Sequence, residues 1–143
     1  MRSGLPIEDL DGFLEEPRVA VLATHWADGS VLLSPVWQEW RDSGFQVWIV
    51  VDDVKERHLR RDPRASIVVA ESGYPMRAVE VRSTARLLEE DAEQTAVRIA
   101  SRYIGPEHGR AYVEAHARKH EVFNRHERPR VPHCCLRKRT SWT

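Results

Sequence analysis

The sequence predicts a mainly β domain, a small antiparallel barrel with helices at its ends. Three observations predict it. Five segments alternate in hydrophobicity with period two. Turn residues (Asp-Gly, Asp-Ser-Gly, Asp-Pro, Ser-Gly-Tyr-Pro) separate them. The helical period is confined to two short stretches and to the segment after residue 90. The chain has 143 residues, enough for one domain, 1–143, with a core that needs no disulfides. At 41% hydrophobic and 31% charged, disorder across the body is excluded.

The elements follow in order. Ile7, Leu10 and Leu14 share a face of a short helix over 7–15, which Pro17 ends. Arg18 to Trp26 is a strand, with Val19, Val21 and Ala23 on one face and Ala20, Leu22 and Thr24 on the other. Both faces are apolar enough for burial on both sides. Asp28-Gly29 is a hairpin turn. Val31 to Trp40 returns, interrupted at Pro35, which marks an edge or a bulge. Phe45 to Val51 is β-branched and aromatic. A basic helix, Lys55 to Arg61, stops at Asp62-Pro63. Ala65 to Glu71 and Ala78 to Leu88 are the last two clear strands. Asp91 starts a helix, with Gln94 as capping-box partner and Ala92, Ala96, Ile99, Ala100 and Tyr103 as its buried stripe. Gly105-Pro106 opens another, to about Val122.

The zero net charge conceals an asymmetry. Residues 118–143 hold eight basic side chains against two acidic, and the rest of the chain is acidic. Through this basic, irregular tail no further strand can be drawn from the pattern. Its aromatics are only Phe123 and Trp142, too few for base stacking, so nucleic acid is not an expected partner. Cys134 and Cys135 are adjacent and no disulfide framework exists. There is no apolar run of membrane-spanning length and no signal-peptide order at the N-terminus, so a cytoplasmic protein is expected.

Four constellations bear on chemistry. Lys55, Arg57, His58, Arg60, Arg61 and Arg64 cluster at a helix start, which suits either a phosphate or a solvated basic face. Ser34-Pro35-Val36-Trp37-Gln38 offers backbone groups and an aromatic to a planar ligand, or simply packs Trp37 in the core. His116 and His120 share a helix face, but neither His-Glu-x-x-His nor paired Cys-x-x-Cys accompanies them, so no metal site is assigned. Nucleophile elbow, Walker and dinucleotide signatures are missing, so if the protein is an enzyme a bound cofactor is expected to carry the chemistry.

Taken together, Val19-Ala20-Val21-Leu22-Ala23-Thr24, Asp28-Gly29-Ser30, Ser34-Pro35-Val36-Trp37, the run Lys55 to Arg64, and Tyr74-Pro75 before Val79-Glu80-Val81 resemble the pyridoxamine-phosphate-oxidase-like, FMN-binding split-barrel proteins. Tyr103-Ile104-Gly105-Pro106 is similar to the helix ending of the branch that uses the deazaflavin coenzyme F-420. The resemblance covers about residues 12–115.

It implies a six-stranded antiparallel split β-barrel with short terminal and connecting helices, and a homodimer with two cofactors at its interface. The ring would lie against Ser34, Pro35, Val36, Trp37 and Gln38 and against Ile49, Val50 and Val51, with Trp48 close by. The phosphate would meet Lys55, with Arg57 and His58 near. The implied function is hydride transfer between F-420 and a small organic substrate. Alternatives are an FMN-dependent oxidase or reductase, or a non-enzymatic dimer binding a small ligand or nucleic acid. Arg60, Arg61 and Arg64 would serve the longer, more anionic F-420. The chain departs from the family at His58, where Asn is usual, at Val50 and Val51, where a hydroxyl is common, and at Asp52-Asp53, whose acids would repel a phosphate unless turned outward. Its tail departs most.

Overall fold

The computed structural model describes residues 11–42, 44–74, 76–123 and 133–137. The element order is α1 (Asp11–Glu15), β1 (Ala20–His25), β2 (Val31–Val36), β3 (Gln38–Arg41), β4 (Gly44–Trp48), α2 (Val54–Arg61), β5 (Arg64–Ala70), β6 (Ala78–Thr84), β7 (Arg86–Leu88), α3 (Ala92–Ile104), α4 (Pro106–Phe123) and β8 (His133–Arg137). The start of the expected first helix, including Ile7 and Leu10, lies outside the described residues, as does Pro75.

Mainly β with short helices is what forms, but the expected six-stranded split barrel is corrected. The described residues contain eight strands in two four-stranded sheets, β2-β1-β5-β6 and β3-β4-β8-β7, and these are not closed into a barrel. All pairings are antiparallel. The physical reason lies at two breaks within segments that read as single strands. At Trp37 the chain leaves the first sheet for the second. The backbone N–H of Gln38 donates to the Tyr103 hydroxyl at 2.9 Å, and that hydroxyl donates to the Arg18 carbonyl at 2.8 Å. At Ala85 the second crossing occurs, where its N–H donates to the Pro63 carbonyl at 2.7 Å. Period-two patterning survives such a break, because the side chains still alternate on either side of it.

The tail supplies the remaining strand. β8 sits between β4 and β7, pairing Phe45 with Leu136 and Leu87 with Cys134. No pattern marked it because its segment is short and basic.

Alternation within the strands builds one core between the sheets. β1 sends Ala20, Leu22 and Thr24 inward, β5 sends Ala65, Ile67 and Val69, and β4 sends Phe45 and Val47. α1 adds Phe13 and Leu14, and α2 adds Leu59. The opposite face of β4 is also covered: Trp48 packs with Ala96 and Ala100 of α3 and Val113 of α4 in a second cluster. That double burial explains why β4 is apolar on both faces. β1 differs from expectation here, since its second face (Val21, Ala23, His25) is only half-buried.

The helix pair α3–α4 turns at Gly105, whose φ of 84° is costly for any residue with a Cβ. One turn later Gly109 allows the close approach: a Cβ there would lie 2.7 Å from the Ser101 backbone nitrogen. The capping box expected at Asp91 is not formed. Asp91 adopts a left-handed conformation (φ 53°) and makes no side-chain capping bond.

Candidate functional site

A cavity of about 390 Å³ opens where the β2–β3 break, the end of β4, the start of α2 and the flank of α4 converge. Its walls are Val19, Pro35, Val36, Trp37, Trp48, Val50, Asp53, Lys55 and Tyr112. The size lies within the usual range of small-molecule sites, roughly 300–1,000 Å³.

Aromatic contacts stiffen one side. Trp37 stacks on Tyr103 with centroids 5.0 Å apart and planes 9° from parallel. Tyr112 lies 5.3 Å from Trp37 and meets Trp48 edge-on at 5.7 Å. His116 backs this group, 4.2 Å from Tyr112 and bonded through Nδ1 to the Tyr112 carbonyl at 2.9 Å. The Trp48 Nε1–H is buried and, among the described residues, has no acceptor. A buried donor without a partner is costly.

The other end carries charge, and it is already balanced. Asp53 is the N-cap of α2: its Oδ1 accepts from the Lys55 backbone N–H at 2.9 Å and from Lys55 Nζ at 3.0 Å. Asp53 therefore faces the cavity rather than turning outward. Asp52 is exposed, and its N–H donates to the buried Glu56 Oε2 at 2.7 Å. The cations further along α2 are engaged as well. Arg60 pairs with Glu56 at 2.7 Å, Arg64 with Asp62 at 2.7 Å, and the Arg61 guanidinium bonds to the His25 carbonyl. The Arg64 side chain holds the Asp62 carboxyl far below its ordinary pKa. No groove of unpaired cations runs away from Lys55 through Arg60, Arg61 and Arg64.

Of the residues singled out from sequence, the cavity gathers Pro35, Val36, Trp37, Val50 and Lys55, with Trp48. Six others lie elsewhere. Ser34 is buried on the inward face of β2. Gln38 is fully buried, its Nε2 donating to the Arg18 carbonyl at 3.3 Å. Ile49 belongs to the main core, Val51 is half-buried, and Arg57 is exposed. Ser34 and Gln38 turn into the interior on either side of the β2–β3 break, which presents Pro35, Val36 and Trp37 to the cavity. Arg57 lies about 200° round α2 from Lys55, and His58, though near the Lys55 face, sits a turn further along, against Thr24 and Trp26.

His58 instead joins the core, with 2% of its surface exposed. Its Nδ1 lies 2.9 Å from Thr24 Oγ1, and its ring meets Trp26 edge-on at 4.2 Å. Burial, then the Arg61 and Arg57 charges, push its pKa below the ordinary 6.5. A histidine kept neutral in the fold protonates more readily when unfolded, so stability is lost as pH falls below 6.5. Unfolding free energy is expected to drop between about pH 7.5 and 5, and to drop less in His58→Gln. Denaturant titrations at several pH values check this; equal slopes for both proteins would refute it.

Val19, Asp53 and Tyr112 complete the walls and were not in the sequence-derived set. Asp53 carried a readable signal, as an acid preceding a basic helix. Tyr112 carried none, because only the Gly109 approach brings α4 to Trp37 and Trp48. Among the described residues no group of three or more His, Cys, Asp or Glu could hold a metal, and no helix is long and apolar enough to cross a membrane. The side chains of His120, Cys134 and Cys135 lie outside the described residues.

Two antiparallel sheets enclose an aromatic cavity of small-molecule size beside a capped basic helix. The chain belongs to the pyridoxamine 5'-phosphate oxidase family, whose model matches residues 7–126. No curated protein matches it. Among solved structures, it is similar to a conserved hypothetical protein of Mycobacterium tuberculosis (TM-score 0.72, 23% identity, 94% of this chain and 81% of that one). It also resembles an F420 reductase (TM-score 0.67, 19% identity, 91% and 93%). A third likeness is to HutZ, a heme storage protein of Vibrio cholerae (TM-score 0.64, 16% identity, 92% and 89%). At these identities the likenesses establish the fold alone.

Proposed function

We propose that the cavity holds a flavin-type planar ring and that the protein is an oxidoreductase passing hydride between that ring and a small organic substrate. The observation that carries this reading is the wall of Trp37, Trp48 and Tyr112 along one side of the cavity. Aromatic walls suit a flat heterocycle. When bound, a flavin or deazaflavin supplies the hydride chemistry. The chain's own residues have three tasks. Trp37, held flat by Tyr103, and Tyr112 support a ring face. Trp48 closes the cavity beside the ring edge. Val19, Val36 and Val50 keep water from it. Family membership and the likeness to an F420 reductase support the redox assignment.

A dimer fits the same reading. Val19, Val31, Leu33 and Val68 are exposed on the outer face of the first sheet, at 54%, 49%, 65% and 37%. Val19 is shared with the cavity wall, so a second copy seated there would cover the cavity mouth. Sedimentation at micromolar concentration is expected to give a dimer, and Leu33→Asp a monomer. A monomeric parent chain would refute this.

One observation favours a second reading. Among the described residues, the only cation lining the cavity is paired with Asp53, so an uncharged planar ligand, held without turnover, also fits. Titration with F-420, FMN and riboflavin, followed by quenching of Trp37 and Trp48, tests both. Binding of at least one ring, with reduction of a substrate by its reduced form, supports the oxidoreductase. Binding without turnover across a broad substrate screen selects the carrier, and no binding removes the flavin-type assignment.

A further inference from the structure

We propose that Asp53 is a specificity-determining residue of the cavity, selecting against ligands that place a dianionic phosphate monoester at the start of α2. The proposal rests on the reading of the cavity as a flavin-type site.

The start of a helix beside a lysine is where an anionic ligand group would bind, because backbone N–H groups and a cation converge there. In this chain the position is already taken. One oxygen, Asp53 Oδ1, accepts from both the Lys55 N–H and the Lys55 ammonium, at 2.9 and 3.0 Å. An incoming phosphate must share Lys55 with that carboxylate or displace it. Displacement uncaps α2. Sharing sets a dianion against a carboxylate a few ångströms away, at side chains only 19% and 32% exposed, where water screens poorly. Relief from other cations is limited: Arg60 and Arg64 are paired with Glu56 and Asp62, the Arg61 guanidinium is held at the His25 carbonyl, Arg57 is exposed, and none of the four lines the cavity.

A monoanionic phosphodiester or an uncharged tail meets a smaller penalty at the same place. Two of the three ammonium hydrogens of Lys55 remain for it. The cavity therefore discriminates by charge at its polar end and by ring shape at its aromatic end.

FMN and riboflavin differ only in the terminal phosphate, so their affinity ratio reads the effect directly. For the parent chain the two dissociation constants are expected to agree within about threefold. Asp53→Asn keeps a good N-cap and removes the charge, and is expected to tighten FMN about tenfold while leaving riboflavin unchanged. Asp53→Ser, which also caps, repeats the test should the first variant fail to fold. FMN binding tenfold tighter than riboflavin in the parent chain, or an unchanged ratio in the variants, would overturn the proposal. A separate measurement keeps it distinct from the cofactor reading. Inorganic phosphate is expected to raise the melting temperature of Asp53→Asn, but not of the parent chain, relative to chloride at equal ionic strength. If neither flavin nor F-420 binds either protein, the cofactor reading falls. The phosphate comparison then decides alone: a gain confined to the variant upholds the charge selection, and equal responses overturn it.

Discussion

A chain ending at Phe123 is expected to lose its cooperative unfolding transition. Such a chain lacks β8, which pairs with five residues of β4 on one side and three of β7 on the other. With β8 gone, β4 keeps only β3 as a neighbour and β7 keeps none. At about 0.5–1.5 kcal/mol net for each lost hydrogen bond, the deficit reaches several kcal/mol. That is a large part of the roughly 5–15 kcal/mol that holds a domain of this kind together. β4 also becomes an open edge, prone to pairing with other chains. Near-ultraviolet circular dichroism and thermal melting would read the loss. A truncated chain that melts with the same midpoint and sharpness as the full one would show that β8 is dispensable.

Phe45→Ala is expected to cost about 3–5 kcal/mol, the range for emptying a fully buried aromatic site. Phe45 is 0% exposed and meets Trp40 edge-on at 4.8 Å. Val47 and Leu22 share its cluster, and rigid strands on both sides leave little room for collapse into the space. For a domain of this size each kcal/mol lowers the melting temperature by roughly 2–4 °C, so a fall of more than about 6 °C is expected. Phe45→Leu should cost less than half as much. The substitution reaches the cavity too, because β4 carries Phe45 on its core face and Trp48 on the other. A cost below about 1 kcal/mol in chemical denaturation would show that the core repacks freely around this position.

The same strand shows what can be read locally and what cannot. Phe45 to Val51 announced a buried strand through composition alone, and β4 forms from Gly44 to Trp48. Val31 to Trp40 read just as clearly as one strand and is two. Its division depends on Tyr103, more than sixty residues away, whose hydroxyl takes the N–H of Gln38. Ser34 to Gln38 was legible as a ligand-facing stretch only as a whole. The β2–β3 break then brings Pro35, Val36 and Trp37 to the cavity wall and leaves Ser34 and Gln38 in the interior. His58 looked like part of a basic phosphate cluster because it stands three residues from Lys55 on the same side of the helix, but one turn on Thr24 and Trp26 enclose it.

The sequence by itself determined the mainly β class, the antiparallel hairpin at Asp28-Gly29, the helices after residue 90, the family, and the place of Lys55 at a helix start. Those properties come from periodicity, turn chemistry and ordered short-range motifs, all carried by neighbouring residues. Only the tertiary structure decided that the strands form two sheets, that the tail contributes β8, that Tyr112 completes an aromatic wall, and that Asp53 neutralises Lys55 inside the cavity. Each of these depends on atoms brought together from distant parts of the chain or on which way one side chain turns, and neither is encoded in local pattern.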